Sequence, residues 1–187
     1  MNGSRKTRVT MKRTLPLADV YRLLEPGPVV LLTTARKGRY NIMPMSWHMM
    51  MDFEPPLVGC IVSDQNYSFG TLHATRECVL NIPTVKLITT AVACGNCSGR
   101  TTDKFAAFDL TPVPARHVSA PLIAECPVNL ECKVVDARLA KKYNLFILEV
   151  VKAWADKPRK RLRTFHHMGG GRFMIAGKMI TLTSRKK

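Results

Sequence analysis

The chain has 187 residues, 46% hydrophobic and 22% charged. That balance suits one domain able to bury roughly 70% of its unfolded surface, and excludes disorder and coiled coil. Lys and Arg total 29 against 13 for Asp and Glu, a formal net charge of +16, which points to anionic ligands or polyanions as partners. Every apolar stretch is interrupted by Arg, Lys, Asp or Pro before the ~20 residues of a bilayer span, which excludes a transmembrane helix.

The positive charge gathers at Arg5, Lys6, Arg8, Lys12 and Arg13, in the run Lys157, Arg159, Lys160, Arg161 and Arg163, and at Arg185, Lys186 and Lys187. Aromatic residues do not interleave with these clusters, so they read as solvated segments rather than a nucleic-acid surface. Residues 1–14 and 184–187 are accordingly read as basic tails around a single domain at 15–183. The start lacks the apolar h-region of a secretory signal. The expectation is a cytoplasmic protein whose six cysteines stay reduced, with no disulfide framework.

Residues 15–24 have roughly helical apolar spacing and predict a short helix, stopped by Pro26 and Pro28. The β-branched apolar run 29–34 predicts a buried strand, and 36–39 a hairpin turn. Residues 40–51 are apolar but broken by Pro44, the mark of an edge or bulged strand. A strand at 57–63 follows, then a helix at 68–76 with Ser68 as N-cap. A strand at 78–82 and a helix at 84–94 come next, then a loop at 95–99 and a turn at 103–105. Prolines 112, 114, 121 and 127 mark a long extended connection. Strands at 128–136, 145–154 and 173–182 complete the chain. Strands outnumber helices, and their short connections suit a mainly β, antiparallel barrel.

Chemistry-bearing motifs are sparse. Cys94 and Cys97 have the spacing of zinc ligands or a redox dithiol, but no second such pair completes a metal site, and buried thiols are the favoured reading. Adjacent His166 and His167 on a strand point to opposite faces and do not share a metal easily. Hydrolase, P-loop and dinucleotide-binding fingerprints are absent. The richest segment is 41–47: Asn41, Ser46 and Trp47 offer edge donors, acceptors and an apolar wall for a planar ligand, and Pro44 frees backbone groups. The competing reading makes Met43, Met45 and Trp47 core. Residues 63–68 follow a strand and open a helix, where Ser63 and Ser68 can hold a phosphate. Ser98, Gly99, Arg100 and Lys104 add flexible backbone and two cations. Together they describe a pocket for something flat at one end and anionic at the other.

Four ordered segments carry a family likeness: Pro28-Val-Val-Leu-Leu-Thr-Thr34, Asn41-x-x-Pro44-x-Ser46-Trp47, Glu77-Cys-Val-Leu-Asn81-Ile-Pro83, and Cys94-Gly-x-x-Ser98-Gly-Arg100-x-x-Asp103-Lys104-Phe105. The chain resembles the flavin reductase-like FMN-binding split barrels, the group containing flavoredoxin. The resemblance implies a six-stranded Greek-key barrel working as a homodimer, with FMN at or near the subunit interface. It implies that Asn41, Ser46 and Trp47 line the isoalloxazine, with Pro44 and Met45 beside them. Ser63 and Ser68 would lie near the ribityl phosphate, and Lys104 would approach the flavin or its phosphate, where a cation stabilises the charge that reduction deposits. Ser98, Gly99, Arg100 and Phe105 join the candidates through the fourth segment. Tyr143 joins them because flavoredoxin-like relatives often carry a histidine before the strand at 145–152.

The expected activity is FMN-dependent oxidoreduction, either NAD(P)H:flavin reductase or flavoredoxin-like electron transfer. NADH or NADPH is a candidate donor, and a redox protein a candidate partner. The flavin carries the chemistry, so no catalytic side chain is assigned, and no metal. The rivals are a flavin-sensing module, a basic nucleic-acid binder on the same barrel, and a dithiol redox protein using Cys94 and Cys97.

Overall fold

Residues 13–20, 27–156 and 162–183 are described by the structure, a computed structural model. The β-branched run after Pro28 forms β2 (Val30–Arg36), buried along all but its last residue. Alternate side chains of a strand face opposite sides: Val30 and Leu32 enter one apolar cluster and Leu31 another. Cover on both faces explains why this strand shows no polar side. A turn with Lys37 and Gly38 at positive φ returns the chain as β3 (Arg39–Met45), antiparallel to β2 with Pro44 opposite Leu31.

Ser46 and Trp47 lead into β4 (His48–Phe53), and β5 (Pro56–Ile61) pairs back on it. With β6 (Glu77–Ile82), β9 (Val128–Asp136) and β10 (Leu145–Ala155), the strand order is β3-β2-β6-β9-β10-β5-β4. Adjacent strands in this order are antiparallel. β3 and β4 are first and last, yet Met45 and His48 are three peptide steps apart, ~11 Å at most. The sheet must therefore curl into a barrel whose split lies at Ser46 and Trp47. Side chains of β2, β3, β5, β6, β9 and β10 fill its interior. This is the antiparallel barrel expected from the sequence.

Helix α1 (Tyr67–Thr75) packs Phe69 and Leu72 into that interior. Outside β2 and β3, Leu31 and Ile42 meet α2 (Ile88–Gly95) and α3 (Lys104–Ala107) through Ala91, Cys94 and Phe105. The proline-rich connection holds two-residue strands, β7 (Pro112–Val113) and β8 (Leu122–Ile123). Its loop is pinned by the buried Glu131 carboxylate, which accepts from the amides of Arg116 and His117 and from the Trp154 indole.

Several local expectations are corrected. Residues 15–24 do not begin a helix: Arg13–Leu15 form β1 opposite Ala155, Trp154 and Ala153 of β10, and a 3-10 turn follows at Leu17–Asp19. The ladder on β10 and the extended backbone of Pro16 override the local periodicity; residues 21–26 lie outside the described residues. The N-cap of α1 is Asn66, not Ser68. The helix expected at 84–94 opens as a 3-10 turn, Val85–Leu87. The turn at 103–105 is the start of α3, whose first amides, on Phe105 and Ala106, donate to the Asp103 carboxylate. The last strand stops early: β12 (Phe173–Ile175) pairs with β11 (Phe165–His167), which is only three residues long. A short α4 (Ala140–Tyr143) precedes β10. Lys157 to Arg161 and the basic ends 1–12 and 184–187 lie outside the described residues. Among the described residues, no helix is long and apolar enough to cross a membrane.

Candidate functional site

Three cavities adjoin around residues 43–47. The first, about 300 Å³, is polar. Asn41 of β3 and Lys104 of α3 line it, with Asn66 to Ser68 on one wall and Gly95 to Gly99 on the other. Asn41 is 4% exposed, and its Nδ2 donates to Ser68 Oγ at 2.8 Å while Oδ1 is buried without a partner. A hydroxyl can serve either end of an amide, so one polar atom of Asn41 is left over whichever way the group is turned.

Gly99 makes this arrangement possible. A β-carbon there would fall on Asn41 Oδ1 and within 2.8 Å of the Tyr67 ring. Ser98 tightens the same loop: its Oγ accepts from the Arg100 amide and its carbonyl from the amides of Thr101 and Thr102.

Lys104 is buried, and its Nζ donates to the carbonyls of Ile42 at 2.8 Å and Cys94 at 2.6 Å. Burial holds its pKa below the ordinary lysine value, and the nearby Cys97 and Cys94 thiols offset part of that. An ammonium has three protons to donate, so a third remains beside the cavity. α1 begins at the same wall, and the unpaired amides of a first helical turn favour an anion. Arg100 lies over the Tyr67 ring at 5.7 Å.

The second cavity, about 440 Å³, lies on the other side of Met43 and Pro44 and is lined further by Met45, Ser46, Trp47, Ile61 and Ser63. It offers methionine and aromatic walls with hydroxyls at the rim. The structure thus brings together Asn41, Pro44, Ser68, Ser98, Gly99 and Lys104 in the polar cavity, and Pro44, Met45, Ser46, Trp47 and Ser63 in its neighbour. Three candidates line neither. Arg100 stays above Tyr67; Phe105 is buried in the outer cluster, edge-on to Tyr40 at 6.0 Å. Tyr143 is 55% exposed, with the Lys142 ammonium over its ring.

Sequence reasoning missed Asn66, Tyr67, Asn96 and Asn144. Asn66 and Tyr67 sit inside the segment that suggested a phosphate site. Asn144, next to Tyr143, lines the second cavity and accepts from the Asp64 amide. Cys94 and Cys97 line the polar cavity, but burial pushes the Cys94 thiol up to about 11, so it stays protonated at neutral pH. All six cysteines are free thiols. Among the described residues no cluster of three or more His, Cys, Asp or Glu could hold a metal ion.

The candidate site is thus a polar cavity holding the Lys104 ammonium beside a methionine- and tryptophan-walled one, both in a split antiparallel barrel. The chain belongs to the flavin reductase like family, whose domain it matches over residues 22–171. Protein YddH of Escherichia coli (strain K12) is 33% identical to it over 91% of this chain and 99% of its own. The FMN-binding domain of a flavin reductases-like enzyme from Shewanella baltica OS155 superposes with a TM-score of 0.87 at 25% identity, covering 95% of this chain and 100% of that one. Flavoredoxin of Desulfovibrio vulgaris (Miyazaki F) superposes with a TM-score of 0.78 at 23% identity, covering 100% and 99%. The fold is the FMN-binding split barrel.

Proposed function

We propose that the chain binds FMN across the polar cavity and its methionine-walled neighbour and acts as an FMN-dependent oxidoreductase. The observation that carries this reading is the buried, unpartnered amide atom of Asn41. A group that costs roughly 1–3 kcal/mol when left unsatisfied fits a site completed by a ligand. The residues present suit the two ends of FMN. The opening of α1, Ser68, Ser98 and the spare Lys104 proton suit the ribityl phosphate. Met43, Met45 and Trp47 suit the ring faces, and Ser46 and Ser63 its edges. The cavities, about 300 and 440 Å³, lie in the ~300–1,000 Å³ range of small-molecule sites.

Bound FMN supplies hydride and electron transfer itself, and the protein supplies position and electrostatics. Lys104 keeps a positive charge against the polar cavity, favouring an anionic ligand there. Gly99 and Ser98 hold the loop that closes over Asn41. Met43 and Met45 keep water from one side of the ring cavity. Reduced nicotinamide nucleotide is the proposed donor in a flavin reductase, and a redox protein in a flavoredoxin-like carrier. Trp47, just before β4, and Met49 and Met51 on it are exposed, which supports a homodimer through that face.

Visible absorption of the purified protein mixed with FMN and freed of excess tests the reading. Retained yellow colour that bleaches on anaerobic addition of NADH or NADPH supports a flavin reductase. Colour that persists until a protein donor or dithionite is added supports a carrier. A protein that takes up no FMN overturns both.

A further inference from the structure

The third cavity, about 380 Å³, lies between α2 and the β11–β12 hairpin. It shares Pro44, Gly95 and Asn96 with the polar cavity, and Pro44, Met45 and Ser46 with the methionine-walled one. Val29, Ala91, Val92 and Phe173 line it and neither of the others. Among the described residues, no Lys, Arg, Asp or Glu lines it. Its polar groups are the Ser46 hydroxyl, the Asn96 amide and the His167 ring, the last tilted against Phe173 at 5.2 Å.

We infer that this cavity is a second binding compartment, for a flat, uncharged ring carrying one hydrogen-bonding carbonyl. Three features select that chemistry. The walls are aliphatic and aromatic, which suits a ring face. The donors, Asn96 and His167, stand at the rim, which suits a single carbonyl rather than a polyhydroxylated chain. The C-terminal end of α2 points at Gly95 and Asn96, and the partial negative charge of a helix C-terminus disfavours an anion. In the polar cavity that charge is met by the Lys104 ammonium on the Cys94 carbonyl; among the described residues, no Lys or Arg lines the third cavity. Gly169, Gly170 and Gly171 all take positive φ, so the hairpin turns tightly and Gly171 brings bare backbone to the wall. The compartment's use in a reaction rests on the FMN reading, because its shared wall would place the ring beside the flavin; the binding itself does not.

Isothermal titration with 4-hydroxyacetophenone at pH 7 tests it, on FMN-free and FMN-loaded full-length protein. The charged analogue 4-hydroxybenzoate is titrated in parallel. The ketone is expected to bind both forms, and more tightly than the carboxylate in spite of the net charge of +16. Val92 is 38% exposed on α2. Val92→Trp fills the cavity and is expected to weaken the ketone by at least ~tenfold with FMN uptake unchanged. His167→Ala, at an exposed position, is expected to weaken the ketone as well, and keeps the test open should Val92→Trp not fold. NADH as competitor separates the two sources of such a ring: displacement assigns it to a dihydronicotinamide, no displacement to an acceptor, and the compartment stands in either case. Absence of ketone binding, an affinity that both variants leave unchanged, or tighter binding of the carboxylate overturns the inference. So does loss of FMN uptake by a Val92→Trp protein with a native melting profile, which would make the cavity part of the flavin site. A wild-type protein that takes the ketone but no FMN refutes the flavin reading alone.

Discussion

A β-carbon on Gly99 would land on Asn41 Oδ1 and press on the Tyr67 ring. Asn41 is buried in β3 and bonded to Ser68, so its amide gives way only by losing that bond. Gly99→Ala is therefore expected to weaken FMN binding at least ~tenfold, the equivalent of ~1.4 kcal/mol, while the barrel still melts cooperatively; fluorescence titration of FMN reads it. Wild-type affinity in the variant would show that the 98–100 loop does not shape the site. His48 makes a second prediction. The Pro28 carbonyl, 2.7 Å from Nε2, must accept, so Nε2 carries the proton and Nδ1 is buried without a partner. Burial lowers the pKa below 6.5, the Pro28 bond opposes this, and His166 adds to the lowering. Between that depressed value and 6.5 the unfolded chain binds the proton that the folded chain refuses, so stability falls on acidification through this window. His48→Gln, which keeps a donor for Pro28, is expected to flatten the decline in urea melts taken from pH 7 downward. An unchanged slope would place the acid sensitivity elsewhere.

Lys104 ties three elements together: it starts α3, and its ammonium holds the Ile42 carbonyl of β3 and the Cys94 carbonyl in the last turn of α2. Lys104→Met keeps most of the apolar stem but leaves two carbonyls without that donor. A loss of about 1–3 kcal/mol in urea unfolding is expected, with weaker FMN retention. Full stability would mean that the two carbonyls are satisfied without it. Such ties are also where the sequence stops being legible. The run 29–34, the proline-broken strand around Pro44 and the strands at 128–136 and 145–154 could be read because burial on one or both faces writes itself into local composition. The described start of the segment, 15–20, could not, because β1 forms on β10, a partner far along the chain. The cavities follow the same division. Asn41 to Trp47 and Ser63 to Ser68 announced themselves as polar groups in or beside strands. Asn96 and Asn144 are single asparagines that reach the cavities only through the ends of α2 and α4. Tyr143 and Phe105 were misleading for the converse reason: Tyr143 is exposed and Phe105 packs into the outer cluster, while the neighbour of each, Asn144 or Lys104, lines a cavity.

At the scale of the molecule, two features oppose each other: a formal charge of +16 and an apolar ridge on β4, a strand at the end of the sheet order. Trp47, Met49 and Met51 are 71%, 56% and 45% exposed, and Met49 and Met51 both lie over Gly59 of β5. Exposed apolar surface on an edge strand invites pairing with another chain, whereas like charge on two copies repels. If two copies pair through the ridge, salt should tighten the pair, because screening lengths shrink from ~30 Å at 0.01 M to ~3 Å at 1 M while apolar burial persists. Met49→Lys adds a charge to each copy at the ridge and should shift the protein toward monomer at any salt. Trp47 belongs both to the ridge and to the wall of the methionine-walled cavity, so the two equilibria are linked: whatever affinity FMN gains in the dimer, the dimer gains from FMN. Sedimentation equilibrium at low and high salt, with and without FMN, reads all three effects. A dimer that dissociates with salt, or that Met49→Lys leaves intact, would move the interface away from β4 and leave Trp47 as cavity wall alone.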